Sequence, residues 1–160
     1  MTGPAARGWA ASAARRWSAV AVRRWSAVAA AVAIVAAGLV VHGILPDTAA
    51  TDIAGDALYA VLIYVLVVAA APRARAVVVA MIAGGWCIAV ELLQLSDLPA
   101  RAAAVFPPAV LVLGTVFDAR DLLVYVVSVV TAAALDVVWG RRSQRPERPR
   151  AGEESSSRPR

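Results

Sequence analysis

With 160 residues, 61% of them hydrophobic, and a mean hydropathy of +0.70, the chain lies well above the roughly 45–50% apolar content of soluble domains and falls in the membrane class. The net charge of +5 is unevenly spread: residues 1–24 carry five arginines and no acid, residues 25–140 four arginines against eight acids, and residues 141–160 seven arginines against three glutamates. Basic tails around an acidic, apolar middle point to a lipid bilayer as partner, with anionic lipids at the tails, and argue against nucleic acid, which asks for a folded basic surface.

Every one of the sixteen basic residues is arginine, and neither lysine nor asparagine occurs, a coding bias that points to a bacterial source. The single cysteine, Cys87, rules out an intramolecular disulfide. One histidine, His42, far from that cysteine in sequence, leaves no zinc-ligand spacing, and nothing in the sequence calls for a metal or a cofactor. Soluble-enzyme signatures are missing as well: no G-x-S-x-G, no P-loop and no H-E-x-x-H.

In chain order, the first feature is "RRWSAV" at Arg15–Val20, repeated at Arg23–Val28. A period of eight sets the two copies about 80° apart on a helix, so they need not share a face. The segment reads as a basic, tryptophan-bearing stretch at the membrane surface; the motif is poor for a paired-arginine export signal, and the apolar run behind it is too long. A first span is predicted from about Trp25 to Leu45, where roughly 21 residues at 1.5 Å each cover the ~30 Å hydrocarbon layer. Pro46 and Asp47 end it. The second span runs from about Ile53 to Ala71 and stops at Pro72, Arg73 and Arg75. The third runs from about Ala76 to Leu95 and closes at Ser96, Asp97 and Pro99.

Next comes "AAAVFPPAVLVLG", Ala102–Gly114, apolar but short and broken by Pro107 and Pro108. Such a stretch cannot cross as a regular helix, and a re-entrant or interfacial segment fits it better. The fourth span runs from about Asp121 to Trp139, before Gly140, Arg141 and Arg142. The last twenty residues have almost nothing to bury and are expected to be disordered. The predicted fold is therefore an all-α, polytopic bundle of four spans: a basic tail at 1–24, a membrane domain at 25–139, and a tail at 140–160. With four spans, both arginine-rich tails and the Arg73/Arg75 turn share one side, which the positive-inside rule makes cytoplasmic. The expected location is the bacterial inner membrane, with both termini inside.

On this topology three acids from three helices reach similar depth near the outer interface: Asp56 on span two, Glu91 on span three and Asp121 on span four. Gln94, three residues after Glu91, shares its face. Asp56 and Asp121 taken singly are explained by the dipole of an outward helix N-terminus. Asp136, near the cytoplasmic end of span four, reads as an interfacial ion-pair residue beside Arg141. Asp47, Asp52, Asp97 and Asp118 read as solvated loop charges. Glu91 stands apart, because a charge in the bilayer core costs several kcal/mol unless it is paired, protonated or wet. Arg101 and Arg120 are its candidate ion-pair partners. Small residues, Gly84 and Gly85 with Ala80, would let a neighbouring helix approach closely.

"GDALYA" at Gly55–Ala60, "ELLQL" at Glu91–Leu95, "LVLGTVF" at Leu111–Phe117 and "DLLVY" at Asp121–Tyr125 follow one another in an order that resembles domain of unknown function 2809, a family of small bacterial multi-span membrane proteins. The Glu-x-x-Gln followed by a later aspartate is also similar to the VanZ-like proteins, whose namesake is linked to teicoplanin resistance. The resemblance covers roughly residues 30–138 and marks Gly55, Asp56, Glu91, Gln94, Gly114 and Asp121. It departs at "DLPARAAAVFPPAV", where such proteins often show a tryptophan, an aspartate and an arginine, and where Arg101 lies closer to Glu91 than in the pattern.

The leading functional expectation is an outward polar site built from Asp56, Glu91, Gln94 and Asp121, acting at the cell envelope on a lipid-linked or glycopeptide-type molecule. Three alternatives stand beside it. One is a proton- or cation-coupled carrier titrating at Glu91, which four short spans would favour as a homo-oligomer. The second is a membrane-embedded acid–base enzyme using Glu91 and Asp121. The third is a structural or regulatory subunit in which the acids only set helix packing.

Overall fold

The computed structural model describes residues 4–114 and 116–142, with side chains described for 17–114 and 116–140. The described residues are all-α: α1 (Pro4–Ile44), α2 (Ala49–Ala70), α3 (Ala76–Leu93), α4 (Leu98–Val105), a 3-10 turn at Pro107–Ala109, α5 (Val110–Leu113) and α6 (Ala119–Arg142). Four helices carry stretches long and apolar enough to cross a bilayer, Trp17–Ile44, Ala49–Ala70, Ala76–Leu93 and Ala119–Gly140. The protein is a multi-pass membrane protein. Between the third and fourth of these, α4, the 3-10 turn and α5 are each too short to span, as Pro107 and Pro108 dictate.

The helix ends differ from the hydropathy reading for local reasons. Helix α1 does not begin at Trp25; no breaker interrupts the alanine-rich sequence after Pro4, so 41 residues form one helix. Helix α2 begins at Ala49, ahead of its apolar run, because Thr48 and Thr51 form a reciprocal capping box: the Thr48 side chain accepts from the Thr51 N–H (3.3 Å), and the Thr48 N–H donates to Thr51 Oγ1 (2.9 Å). Asp52 therefore sits in the first turn of a helix and is no loop residue. Helix α6 begins at Ala119, where the Asp118 carboxylate accepts the Arg120 N–H at 2.9 Å.

Helix α2 occupies the centre, against α1, α3 and α6, while α3 also meets α6. The core is a set of single stripes at helical spacing: Ala60, Tyr64 and Val68 from α2, Val79, Ala83 and Cys87 from α3, Tyr125 and Val129 from α6, and Ala27 from α1. Only 6% of the apolar window of α1 is buried, against 28% for α3, so α1 is the most lipid-facing of the four. Among the described residues the expected close approach at Gly84 and Gly85 is not made: a Cβ at Gly55, Gly84 or Gly85 would meet nothing within 4 Å. The face of α3 turned inward carries Ala83 and Cys87, one residue off in register from Gly84.

At the end of the bundle that holds the Arg73/Arg75 turn, Arg23 ties the helices together. Its Nη1 donates to the carbonyls of Pro72 (2.7 Å) and Ala74 (2.9 Å), and its Nη2 donates to Asp136 Oδ2 (2.6 Å). The Tyr64 hydroxyl donates to the same oxygen at 3.0 Å. Asp136 thus finds its partner on α1, across the bundle; the side chain of Arg141, its expected partner, lies outside the described residues. Arg73 also stacks over the Trp17 ring, 4.6 Å from its centroid.

Candidate functional site

At the opposite end lie the acids that the sequence singles out. The Glu-x-x-Gln of α3 puts Glu91 and Gln94 one turn apart on the face that meets the returning chain. Glu91 Oε1 accepts the backbone N–H of Asp118 at 2.6 Å, and Gln94 Nε2 donates to the Leu113 carbonyl at 2.8 Å. Two side chains on one helix therefore pin both ends of the stretch between α5 and α6. Gly114 lies within it at φ +65°, and a Cβ there would fall on Gln94 Nε2. Backbone conformation and lack of space both demand glycine at that position.

An aromatic chain braces the same region. Trp86 Nε1 donates to the Tyr59 hydroxyl (3.0 Å), which donates in turn to the Val112 carbonyl (2.9 Å), so α2 and α3 hold α5 from below. The Tyr59 and Tyr125 rings lie 6.1 Å apart at 54°.

In front of this scaffold is an open pocket of about 460 Å³. Asp52 and Asp56 line it from α2, Asp118, Arg120, Asp121 and Tyr125 from the start of α6, and Gln94, Gly114, Val116 and Phe117 from the pinned stretch and its clamp. Asp56 from α2 and Asp121 from α6 share this wall, near enough for their charges to act on each other. Arg120 is the sole basic residue on the wall, and it reaches Asp121 (3.5 Å) and Asp118 (3.7 Å) only loosely. Glu91 stands behind the wall, fully buried at 0% exposure.

Of the four sequence candidates, Asp56, Gln94 and Asp121 line the pocket, whereas Glu91 supports it from behind. Neither proposed arginine pairs with Glu91. Arg120 serves Asp118 and Asp121, and Arg101 is exposed on α4 with no ion pair among the described residues. Glu91's hydrogen bond comes instead from a backbone N–H of the chain that returns into α6. Asp118 is no free loop charge: it caps α6 and supplies that N–H. Sequence reasoning passed over Tyr59, Trp86 and Tyr125. Their signal was a polar tip inside a run that is otherwise purely aliphatic.

Three acceptor atoms here are buried without a hydrogen-bond partner: Glu91 Oε2, Gln94 Oε1 and Asp121 Oδ1. Of these, Asp121 Oδ1 lies 3.5 Å from Arg120 Nε, an ion-pair contact, and Glu91 Oε2 belongs to a residue behind the pocket wall, not on it.

A family model described as Protein of unknown function (DUF2809) matches residues 45–129, slightly more than half of the chain. The matched range holds every residue lining the pocket and leaves out Arg23 and Asp136. No curated protein and no solved structure matches the chain.

Proposed function

The chain belongs to the DUF2809 family of proteins of unknown function, and from that premise we propose that it is a binding protein of the cell envelope. Its ligand, a lipid-linked or glycopeptide-type molecule, enters the acidic pocket at the outward end of the bundle. The observation that carries this reading is the pocket itself, with four carboxylates and one loosely held arginine beside a lipid-facing surface. The arginine-rich end faces the cytoplasm by the positive-inside rule, which turns the pocket outward in an inner membrane. The VanZ-like likeness, a Glu-x-x-Gln and a later aspartate, is consistent with an envelope role by analogy alone.

Binding fits better than passage or chemistry. Below the pocket the bundle is filled by Ala60, Tyr64, Val79, Ala83 and Cys87, which leaves a carrier no route through a single copy. Acid–base chemistry by Glu91 and Asp121 needs both on the pocket wall, and Glu91 is not there. Lipid contact at the basic tails and a homo-oligomer built on the unpacked glycine face of α3 belong to the same reading.

The test is complementation of a deletion strain with wild type, with Asp56→Asn/Asp121→Asn, and with Glu91→Gln, across envelope-active antibiotics and pH, checking membrane levels throughout. The pocket double variant is expected to accumulate and fail. Full restoration by that variant would remove the pocket from the function.

A further inference from the structure

We propose that the hairpin formed by α4, the 3-10 turn and α5 is a re-entrant element, with Val105–Val112 seated among the acyl chains of the leaflet at the pocket end and held there by Tyr59 and Gln94. Its partner is lipid hydrocarbon. The inference goes beyond the binding reading, because it does not depend on what enters the pocket.

The first ground is composition set against exposure. From Ala102 to Gly114 no side chain is polar, and Arg101 and Asp118 are the nearest charges on either side. Yet Val105 is 87% exposed and Leu111 59%, and Phe106 and Val112 also turn away from the protein. An apolar patch this continuous marks an interaction surface. It is not isolated: half-exposed Trp86 of α3 reaches Val112 through the Tyr59 hydroxyl, so the patch joins the lipid-facing surface of that helix.

The second ground is depth. Tyr59 lies ten residues from the start of α2 and Trp86 seven residues from the end of α3, roughly 15 and 10 Å inside the helix ends. The Val112 carbonyl, 2.9 Å from the Tyr59 hydroxyl, therefore lies within the span of both helices and not above them. The third ground is the backbone. Phe106 donates its N–H to the Ala102 carbonyl (2.8 Å), Ala109 to Phe106 (2.9 Å) and Gly114 to Val110 (2.9 Å), while Pro107 and Pro108 have no N–H to satisfy. The Val112 and Leu113 carbonyls end α5, where a helix in water leaves such groups to solvent; here Tyr59 and Gln94 take them. An irregular chain needs this closed accounting in hydrocarbon, where no water completes it.

The experiment uses the full chain in lipid vesicles. Cys87→Ala removes the sole cysteine, and nitroxide labels are placed one at a time through Val105→Cys and Leu111→Cys. Val32→Cys, exposed on α1, is the lipid reference and Asp47→Cys the water reference. Power-saturation EPR then compares oxygen, which enters lipid, with a water-soluble nickel chelate. Both hairpin labels are expected to match Val32→Cys, with chelate access roughly fivefold below that of Asp47→Cys. Chelate access equal to the water reference puts the hairpin in water, and exclusion of both reagents puts it under protein, such as a second copy; either overturns the proposal. Hydroxyl-radical footprinting of the unaltered chain in the same vesicles is free of any disturbance by a label. Phe106 is expected to escape oxidation there, and its oxidation overturns the proposal as well. Tyr59→Phe/Gln94→Ala leaves two carbonyls without donors and is expected to raise chelate access at the Leu111 site about threefold. Unchanged access overturns the role given to these two donors.

Discussion

The two ends of the bundle hold carboxylates in opposite circumstances. Asp136 is met by Arg23 at 2.6 Å and by the Tyr64 hydroxyl at 3.0 Å, and the same guanidinium satisfies two free carbonyls of the α2–α3 turn. At the far end one arginine, Arg120, reaches Asp121 at 3.5 Å and Asp118 at 3.7 Å, and Glu91 Oε2 and Gln94 Oε1 are buried without a hydrogen-bond partner. A carboxylate at a membrane boundary is thus not informative by its type. What separates a structural acid from an available one is whether the chain supplies its donors. By that measure Asp136 is fastening and the pocket acids are open for engagement.

The largest effect is expected where donors are complete. Arg23→Ala leaves Asp136 part-buried and unpaired and frees two carbonyls, at a cost of ~3 kcal/mol. Thermal or denaturant unfolding in detergent would measure it. If Arg23→Ala unfolds like wild type, the contrast between the two ends collapses. Gly114→Ala ranks next, at about 2 kcal/mol, since it combines a strained φ with a clash against Gln94. Adding Gln94→Ala removes the clash and leaves the strain, so the double variant should recover part of the loss, and additive costs would show that the two do not touch. Trp86→Phe removes one hydrogen bond to Tyr59 and is expected to cost ~1 kcal/mol, with faster amide exchange in α5 as its local signature. Glu91→Gln is expected to change stability least. The amide keeps an acceptor for the Asp118 N–H in a group of the same shape, so the variant should accumulate at the wild-type level. A destabilisation comparable to Arg23→Ala would mean that the carboxyl group itself holds the fold.

Much of this architecture was legible in the sequence because it follows from hydropathy and proline. Pro46, Pro72 and the Pro107–Pro108 pair bound or break the apolar runs. That Asp56, Glu91 and Asp121 fall at one end of the bundle follows once four spans are counted. Contacts between distant segments were not legible. Nothing local says that Arg23 belongs to Asp136 when Arg141 sits five residues from it, because pairing across a bundle depends on how the helices are rotated. The role of Glu91 escaped for a related reason: its hydrogen-bond donor is a backbone N–H, which carries no letter in the sequence. Gly114 stood out in the pattern, but its reason is the Gln94 side chain twenty residues earlier.

The Arg23–Asp136 contact also sets a clock. Its partners are 113 residues apart, so a ribosome making roughly 5–20 residues per second delivers the aspartate about 6–23 s after the arginine. During that interval α1, which leans mainly on α2, has the Pro72 and Ala74 carbonyls for Nη1 of Arg23 but no carboxylate for Nη2. Helix α6 therefore closes the assembly, and a chain stopped before it holds Arg23 only through the Pro72 and Ala74 carbonyls.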